Sequence, residues 1–318
     1  MQASEREKFE QRAIKFSILG AAVFAVIGIV YGLYTHSQSI MFDGVYSSIS
    51  FVMSGVTLWV SKLVIRPDDQ RFQYGYTHLE PLLNVIKAMI ISATCLYAFA
   101  EAVASFLDGG RQVELSAAIT YSAISSVGCL GFGGVIYFYA KKVDSNLAKI
   151  DAIDWLFDGV LSIAILAGFT IAYGLQQSQW SHLIPYLDPL LVMLLVALFI
   201  PIPIRIFRSN IREVLYLAPS DSLQNQLHEN IKETLTPLGL DNYHLRMAKV
   251  GREFNLSVYV MFDTEVEPSK VHSLDQLRAR IWDNLQWVDT ESHSMWLEVM
   301  FTADERWVFD QKNVIARP

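Results

Sequence analysis

Six long apolar stretches run through the first two thirds of this chain, and they restrict what it can fold into. Each is long enough to cross a bilayer as a helix, because about 20 residues rising about 1.5 Å each span the roughly 30 Å hydrocarbon layer. With 52% of its 318 residues hydrophobic and 18% charged, the chain also has the composition of a membrane protein. The predicted spans are residues 16–34, 40–64, 79–107, 115–139, 153–175 and 187–207.

Composition disfavours several other classes of protein. Aromatic residues make up 12% of the chain, which argues against disorder, and a net charge of −7 provides no basic surface for nucleic acid. Cys95 and Cys129 lie inside apolar runs without metal-type spacing, so they are interpreted as packing residues. Residues 1–15 carry both charge signs and no small-residue cleavage pattern follows them, which predicts an N-terminal tail and not a signal peptide.

Charges in the connecting segments predict how the spans are oriented. Lys and Arg concentrate before span one, between spans two and three, between spans four and five, and after span six, whereas the alternate loops hold only Arg111. Cationic loops tend to remain on the cytoplasmic side, so both termini are predicted to be cytoplasmic. The chain is then expected to divide into a cytoplasmic tail at 1–15, a six-helix transmembrane domain at 16–208 and a cytoplasmic domain at 209–318.

The C-terminal domain shows a helical period followed by strand alternation, in the order αββαβ. A helix capped by Asp221 or Ser222 is expected to end near Leu235, and two strands joined at Gly251 should form a hairpin. A second helix opening at Pro268 and a last strand complete the pattern. This order predicts a small ferredoxin-like α+β domain with helices on one face of an antiparallel sheet. Its sequence contains no glycine-rich phosphate loop or nucleophile elbow, so a dimerising or regulatory role is expected.

Ionisable residues inside apolar spans are costly and therefore mark function. Span two carries Asp43 and Ser47 one turn apart, and span five carries Asp151, Asp154 and Asp158 on one helix face. Carboxylates that meet in a low-dielectric interior must be protonated or neutralised by a cation, and a divalent metal bound by the oxygens of both spans would do this. Two alternatives remain open at this point: Asp43 could cap the second helix, and Asp151 could lie at a solvated mouth.

Span three adds a polar face of its own, with Glu80, Asn84 and Lys87 at i, i+4 and i+7. Lys87 could face the carboxylates, where it would serve charge balance or proton coupling, or its chain could extend toward the cytoplasmic surface. Asn84 could supply a carbonyl oxygen near the metal or form a hydrogen bond between helices.

Together, these residues resemble the cation diffusion facilitator, or cation efflux, family. The resemblance rests on the six spans, the i, i+4 pairs of spans two and five, the stretch RFQYGYTHLEPL entering span three, the Asp188-Pro189 opening of span six, and the αββαβ domain. It implies a dimeric transporter, a homodimer or a heterodimer, that exports divalent metal ions in exchange for protons. A plasma or bacterial inner membrane location is implied with it.

The resemblance places Asp43, Ser47, Asp154 and Asp158 at the four transmembrane ligand positions of the family. Two positions depart from the usual pattern, because Ser47 stands where a carboxylate is general and Asp154 stands where zinc transporters have histidine. A site made of oxygen atoms suits Mn²⁺, Fe²⁺, Co²⁺ or even Mg²⁺ better than Zn²⁺. In the cytoplasmic domain His272 is the remaining candidate for a metal ligand.

The expected mechanism is alternating access without a tightly bound cofactor. Ionised carboxylates capture the metal, the spans move, and protons from the far side compete for the same oxygens and release it. One alternative is a family member that no longer transports and acts as a metal sensor or as a partner subunit. The other is an intramembrane aspartyl protease, whose Gly-x-Gly-Asp signature is missing from the sequence.

Overall fold

The computed structural model describes residues 3–64, 66–143, 146–262, 271–289 and 294–309 of the chain. Six of the helical stretches in these ranges are long and apolar enough to cross a membrane, which confirms the predicted class of fold. The helices of the apolar part are α1 Ala3–Thr35, α2 Gln38–Val64, α3 Leu79–Leu107, α4 Leu115–Val143, α5 Asn146–Leu175, α6 Ile184–Phe199 and α7 Pro201–Val214.

Several helix boundaries differ from the prediction. Helix α1 begins at Ala3 and continues unbroken past residue 15, where the tail was expected to end. The last apolar stretch forms two helices, because Pro201 and Pro203 have no N–H groups with which to continue the hydrogen-bond ladder of α6. The predicted start of span six near residue 187 also moves, since α6 begins at Ile184 with Pro185 in its first turn.

The chain divides into two compact units, of which the first contains residues 1–60 and 86–207. Helices α1 and α2 approach each other there at Gly28 and Gly44. A Cβ atom on Gly28 would lie 2.7 Å from the Cα atom of Gly44, so the two backbones touch and larger residues would force them apart. This contact fixes the depth of α2 immediately beside Asp43.

The second unit contains residues 61–85 and 208–318. Its C-terminal elements are α8 Asp221–Leu235, β1 Tyr243–Val250, β2 Glu253–Met261, α9 Val271–Leu285 and β3 Ser294–Thr302. Apolar residues at helical spacing on α8 and α9 pack with the sheet into one core, which accounts for the predicted α+β domain. The most buried members of that core are Leu227, Ile231, Leu235, Leu256, Val258, Val260, Ile281 and Leu285.

The sheet has the order β1-β2-β3, and only its first pair is antiparallel. Strand β3 runs parallel to β2, so the prediction of an antiparallel sheet is wrong for this strand. The reason is the crossover through α9, which returns the chain to the end at which β2 began. The first helix also differs in detail, because Ser220 and not Asp221 or Ser222 occupies its N-cap position. The predicted opening of the second helix at Pro268 lies outside the described residues.

The turn between β1 and β2 contacts the segment that leads into α3, within the second unit. Gly251 has a φ of +60°, and a Cβ atom there would lie 2.6 Å from the carbonyl oxygen of Thr77. Next to it, the Arg252 Nε atom lies 3.0 Å from a carboxylate oxygen of Glu80. Glycine is therefore required at this turn for both its backbone conformation and the close approach.

Candidate metal centre

A cavity of about 320 Å³ lies among the membrane helices of the first unit and brings together three of the predicted ligands. Asp43 and Ser47 reach it from α2, and Asp158 reaches it from α5. Lys87 lines the same cavity from α3. The side chains of Asp151 and Asp154 lie outside the described residues, although the backbone of both belongs to α5. The other polar lining residues are Ser17, Tyr46, Ser50, Ser54, Ser125 and Cys129.

A polar stripe on α2 forms one wall of this cavity. It consists of Asp43, Ser47, Ser50 and Ser54, whose spacings of four, three and four residues put them on one face of the helix. At about 1.5 Å per residue, the stripe extends the polar wall about 16 Å along the helix from Asp43. Only the first two of these residues were predicted from the sequence, although the later serines continue the same period.

Asp43 is buried, with 7% of its surface exposed, and its carboxylate is held by a tyrosine. The hydroxyl of Tyr121 on α4 donates a hydrogen bond of 2.7 Å to Asp43 Oδ2. Helix α2 begins five residues earlier, at Gln38, so Asp43 does not cap it and that alternative is wrong. Tyr121 was not predicted from the sequence, although Tyr121, Ser125 and Cys129 have the spacing of one face of α4, which is a weak signal of a polar wall.

Asp158 is half-buried and stands where α5 is tied to α4. The Ser162 hydroxyl donates to the carbonyl oxygen of Asp158 at 3.0 Å, and its oxygen lies 2.9 Å from the Ser125 hydroxyl of α4. Cys129, which was interpreted as a packing residue, is 4% exposed but also lines the cavity. These bonds hold the part of α5 that carries Asp158 against the hydroxyl groups of α4.

Lys87 and Asn84 lie one turn apart on α3 but have different surroundings. Lys87 is half-buried in the cavity wall, and no salt bridge joins it to an acidic group of the described residues. Asn84 belongs to the second unit, where its amide nitrogen donates to the Asn210 side-chain oxygen at 3.0 Å. The structure thus gives Asn84 the interhelical hydrogen bond that was its alternative role.

The cytoplasmic-domain candidate, His272, is an exposed residue of α9. Its Nε2 atom lies 3.1 Å from the side-chain nitrogen of Gln276. Across the described residues, no three side chains of His, Cys, Asp or Glu are grouped as a metal site. His272 therefore belongs to no such group among the described residues.

Asp69, in the loop between α2 and α3, is held by its own loop. The Tyr76 hydroxyl and the backbone N–H groups of Phe72 and Arg71 donate to its carboxylate, and these bonds lower the pKa of Asp69 below its usual range. The carboxylate therefore stabilises the loop conformation.

Comparison with known proteins identifies the family. The family model of the cation efflux transmembrane domain matches residues 14–215, which is more than half of the chain. The chain belongs to the cation efflux, or cation diffusion facilitator, family. Family membership supports divalent metal cation efflux and a transporter rather than an enzyme, so the protease alternative has no support.

Three relatives in the cation efflux family illustrate the range of this similarity. The manganese efflux system protein MneP of Bacillus subtilis is 25% identical over 213 residues, covering 66% of this chain and 70% of its own. The metal cation efflux system protein CzcD of Cupriavidus metallidurans is 21% identical over 275 residues, covering 86% and 83%. The magnetosome protein MamM of Magnetospirillum gryphiswaldense is 22% identical over 263 residues, covering 80% and 79%.

Proposed function

We propose that this chain exports Mn²⁺ or a similar divalent first-row metal in exchange for protons, by alternating access. Asp43, Ser47, Asp154 and Asp158 are the proposed ligands. The observation that carries the proposal is the shared cavity of Asp43, Ser47 and Asp158, which come from two helices far apart in the sequence. Asp154 precedes Asp158 by one helical turn of α5, and this spacing predicts that it belongs to the same wall.

The choice of metal follows from the ligand atoms. Three carboxylates and a hydroxyl offer oxygen atoms only, and such sites favour Mn²⁺ over the borderline ions that prefer imidazole or thiolate. A relative named as a manganese efflux protein agrees with this preference. Fe²⁺ and Co²⁺ are the next candidates and Zn²⁺ is the weakest of the class. The metal is cargo, and no tightly bound cofactor is required.

Proton coupling follows from competition for the same oxygens. A carboxylate cannot bind a metal and a proton at once, so protonation from the far side releases the ion. With three carboxylates and the Lys87 ammonium the site carries a charge of −2, which one dication balances. We further propose that the transporter is a homodimer in the plasma or bacterial inner membrane. Both of its termini are proposed to be cytoplasmic, because the loop charges favour that orientation.

Flux into proteoliposomes tests the proposal. Purified protein is supplied with Mn²⁺, Fe²⁺, Co²⁺, Zn²⁺, Cd²⁺ or Mg²⁺, with and without a pH gradient. We expect Mn²⁺ flux that responds to the gradient and falls at least tenfold in Asp158→Ala. Ser48→Ala is the matched control, because the Ser48 hydroxyl donates to the Gly44 carbonyl of its own helix at 2.7 Å and Ser48 does not line the cavity.

Three outcomes would contradict parts of the proposal. Flux that is independent of the pH gradient would contradict proton coupling. Flux retained in Asp158→Ala would contradict the proposed metal site. No flux of any ion from folded protein would favour a metal sensor or a partner subunit, which predicts metal-dependent association without transport.

A further inference from the structure

A second buried carboxylate, Asp188, lies outside the cavity, near the start of α6. It is 1% exposed and accepts four hydrogen bonds from the beginning of α2. The Ser37 and Ser39 hydroxyls donate to Oδ1 at 2.7 and 2.6 Å. The backbone N–H of Gln38 donates to Oδ2 at 2.7 Å and that of Ser39 to Oδ1 at 3.2 Å.

These bonds make Asp188 a cap that one helix supplies to another. The first N–H groups of a helix have no partners within it, and a carboxylate at that end also interacts favourably with the helix dipole. Both serines are buried, with exposures of 1% and 0%, so water does not replace Asp188. Charge-assisted hydrogen bonds of this kind are stronger than neutral ones. Helix α6 therefore holds the start of α2, five residues before Asp43.

The same end of the bundle, which carries the turn between α1 and α2, contains a cluster of packed apolar residues beside a separate cavity lined by Ser37, Gln38 and Glu101. Four helices meet there in a cluster that we call the plug. It lies between Asp43 and the turn, because Ile40 precedes Asp43 on α2 and the α5 members follow Asp158. The buried plug residues are Ile40, Leu115, Ala118, Tyr121, Leu161, Ile165, Phe169, Ala172 and Leu195.

The cavity extends in the opposite direction from Asp43. Its wall continues on α2 through Ser50 to Ser54, away from the turn, and reaches the first residues of the α1 span at Ser17. The described residues thus give Asp43 a polar cavity wall on one side and the plug on the other, so packed side chains block the path from Asp43 through the plug.

We propose that Asp188 is the latch of the closed end. Its bonds to Ser37, Gln38 and Ser39 hold α2 against α6 while the plug is packed, and they must break before metal can leave past the plug. The inference rests on the alternating access proposed above. Asp188 is a positioning residue here, since it acts on the start of α2 and not on the metal.

The perturbation that isolates the latch is Asp188→Asn. The amide keeps the size of the carboxylate but loses the charge, and its nitrogen cannot accept a hydrogen bond. We expect the population of the closed state, relative to the state open at the turn, to fall about tenfold. Hydrogen bonds to a charged acceptor contribute enough free energy to account for a change of this size. The double variant Ser37→Ala/Ser39→Ala keeps both backbone bonds and should shift the ratio in the same direction by less.

Thiol labelling in oriented vesicles measures the two sides of the site separately. Single cysteines are placed in the plug as Ile165→Cys and in the cavity as Ser54→Cys, in a background of Cys95→Ser and Cys129→Ser. A membrane-impermeant reagent is applied from each side. In Asp188→Asn the plug cysteine should react about tenfold faster from the side of the α1–α2 turn, and the cavity cysteine more slowly from its own side. Ser48→Ala should leave both rates unchanged.

Two results would overturn the latch. Unchanged rates at both positions would mean that Asp188 does not bias the two states. Faster labelling at both positions would indicate general loosening of the bundle. Should Asp188→Asn fail to fold, the serine double variant decides the question by the same two rates. Labelling requires no flux, so Mn²⁺ transport with unaltered labelling rejects the latch alone, and altered labelling without flux rejects the transport proposal alone.

Discussion

Replacing Lys87 by methionine tests whether a fixed positive charge in the cavity opposes the metal. Lys87 lines the cavity of Asp43, Ser47 and Asp158, and the polar stripe of α2 in that cavity is about 16 Å long. At a separation of about 12 Å and an effective dielectric of about 40 to 80, a unit charge repels a dication by about 0.7 to 1.4 kcal/mol. Removing the charge should therefore lower the KM for Mn²⁺ by about threefold to tenfold.

The assay is initial-rate Mn²⁺ flux at low and high ionic strength. Because salt screens charges that are separated by a water-connected path, the difference between wild type and Lys87→Met should shrink as salt rises. Lys87→Arg keeps the charge and should keep the wild-type KM. Lys141→Met removes an exposed charge at the end of α4 and serves as the remote control.

A KM within twofold of wild type for Lys87→Met at low salt would refute this reasoning. It would show that the ammonium extends to the membrane surface, as in the alternative interpretation of the sequence. An equal change in Lys87→Arg would attribute the effect to packing and not to charge.

Three further predictions concern packing, metal choice and pH. Gly28→Ala should lower the free energy of unfolding by about 1 to 3 kcal/mol through overpacking, whereas Gly134→Ala, where a Cβ atom meets nothing within 4 Å, should not; thermal denaturation compares them. Asp154→His should raise Zn²⁺ flux relative to Mn²⁺ about tenfold, and an unchanged ratio in competition assays would contradict the oxygen-site argument. The hydrogen bonds that lower the pKa of Asp69 stabilise its loop at pH values above the ordinary pKa of 3.8. This stabilisation is lost as the pH falls through the lowered pKa. Amide exchange in the loop should accordingly show a transition below about pH 4 that Asp69→Asn lacks, and a shared transition would be evidence against this role of Asp69.

The spans and three cavity residues could be predicted because the bilayer imposes simple rules. A spanning segment must be apolar and helical, and an acid inside it must find a partner, so Asp43 and Asp158 stood out by position alone. The helical period then put Ser47 beside Asp43. The helical period likewise predicts that Asp154 lies on the same face of α5 as Asp158, and this remains a prediction.

Contacts between segments that are far apart in the chain could not be predicted from the sequence. Tyr121 in an apolar span looks like any packing aromatic until α4 is placed beside α2. The bonds from Asp188 to Ser37 and Ser39 join residues about 150 positions apart, and nothing local to either segment indicates them. Strand β3 was mispredicted for a similar reason, since alternation of apolar residues is the same in parallel and antiparallel strands.

The polar stripe of α2 also restricts how this helix can move during transport. Asp43 and its three serines occupy one side of a helix whose other sides carry exposed apolar residues such as Phe51, Val52 and Trp59. Spinning α2 by half a turn about its own axis would carry a carboxylate and hydroxyl groups into hydrocarbon, where polar groups without partners cost several kcal/mol each. Tilting or sliding leaves the stripe facing water and protein. Under the proposed alternating access, α2 is therefore expected to tilt or slide between the two states while the direction that its polar stripe faces stays constant.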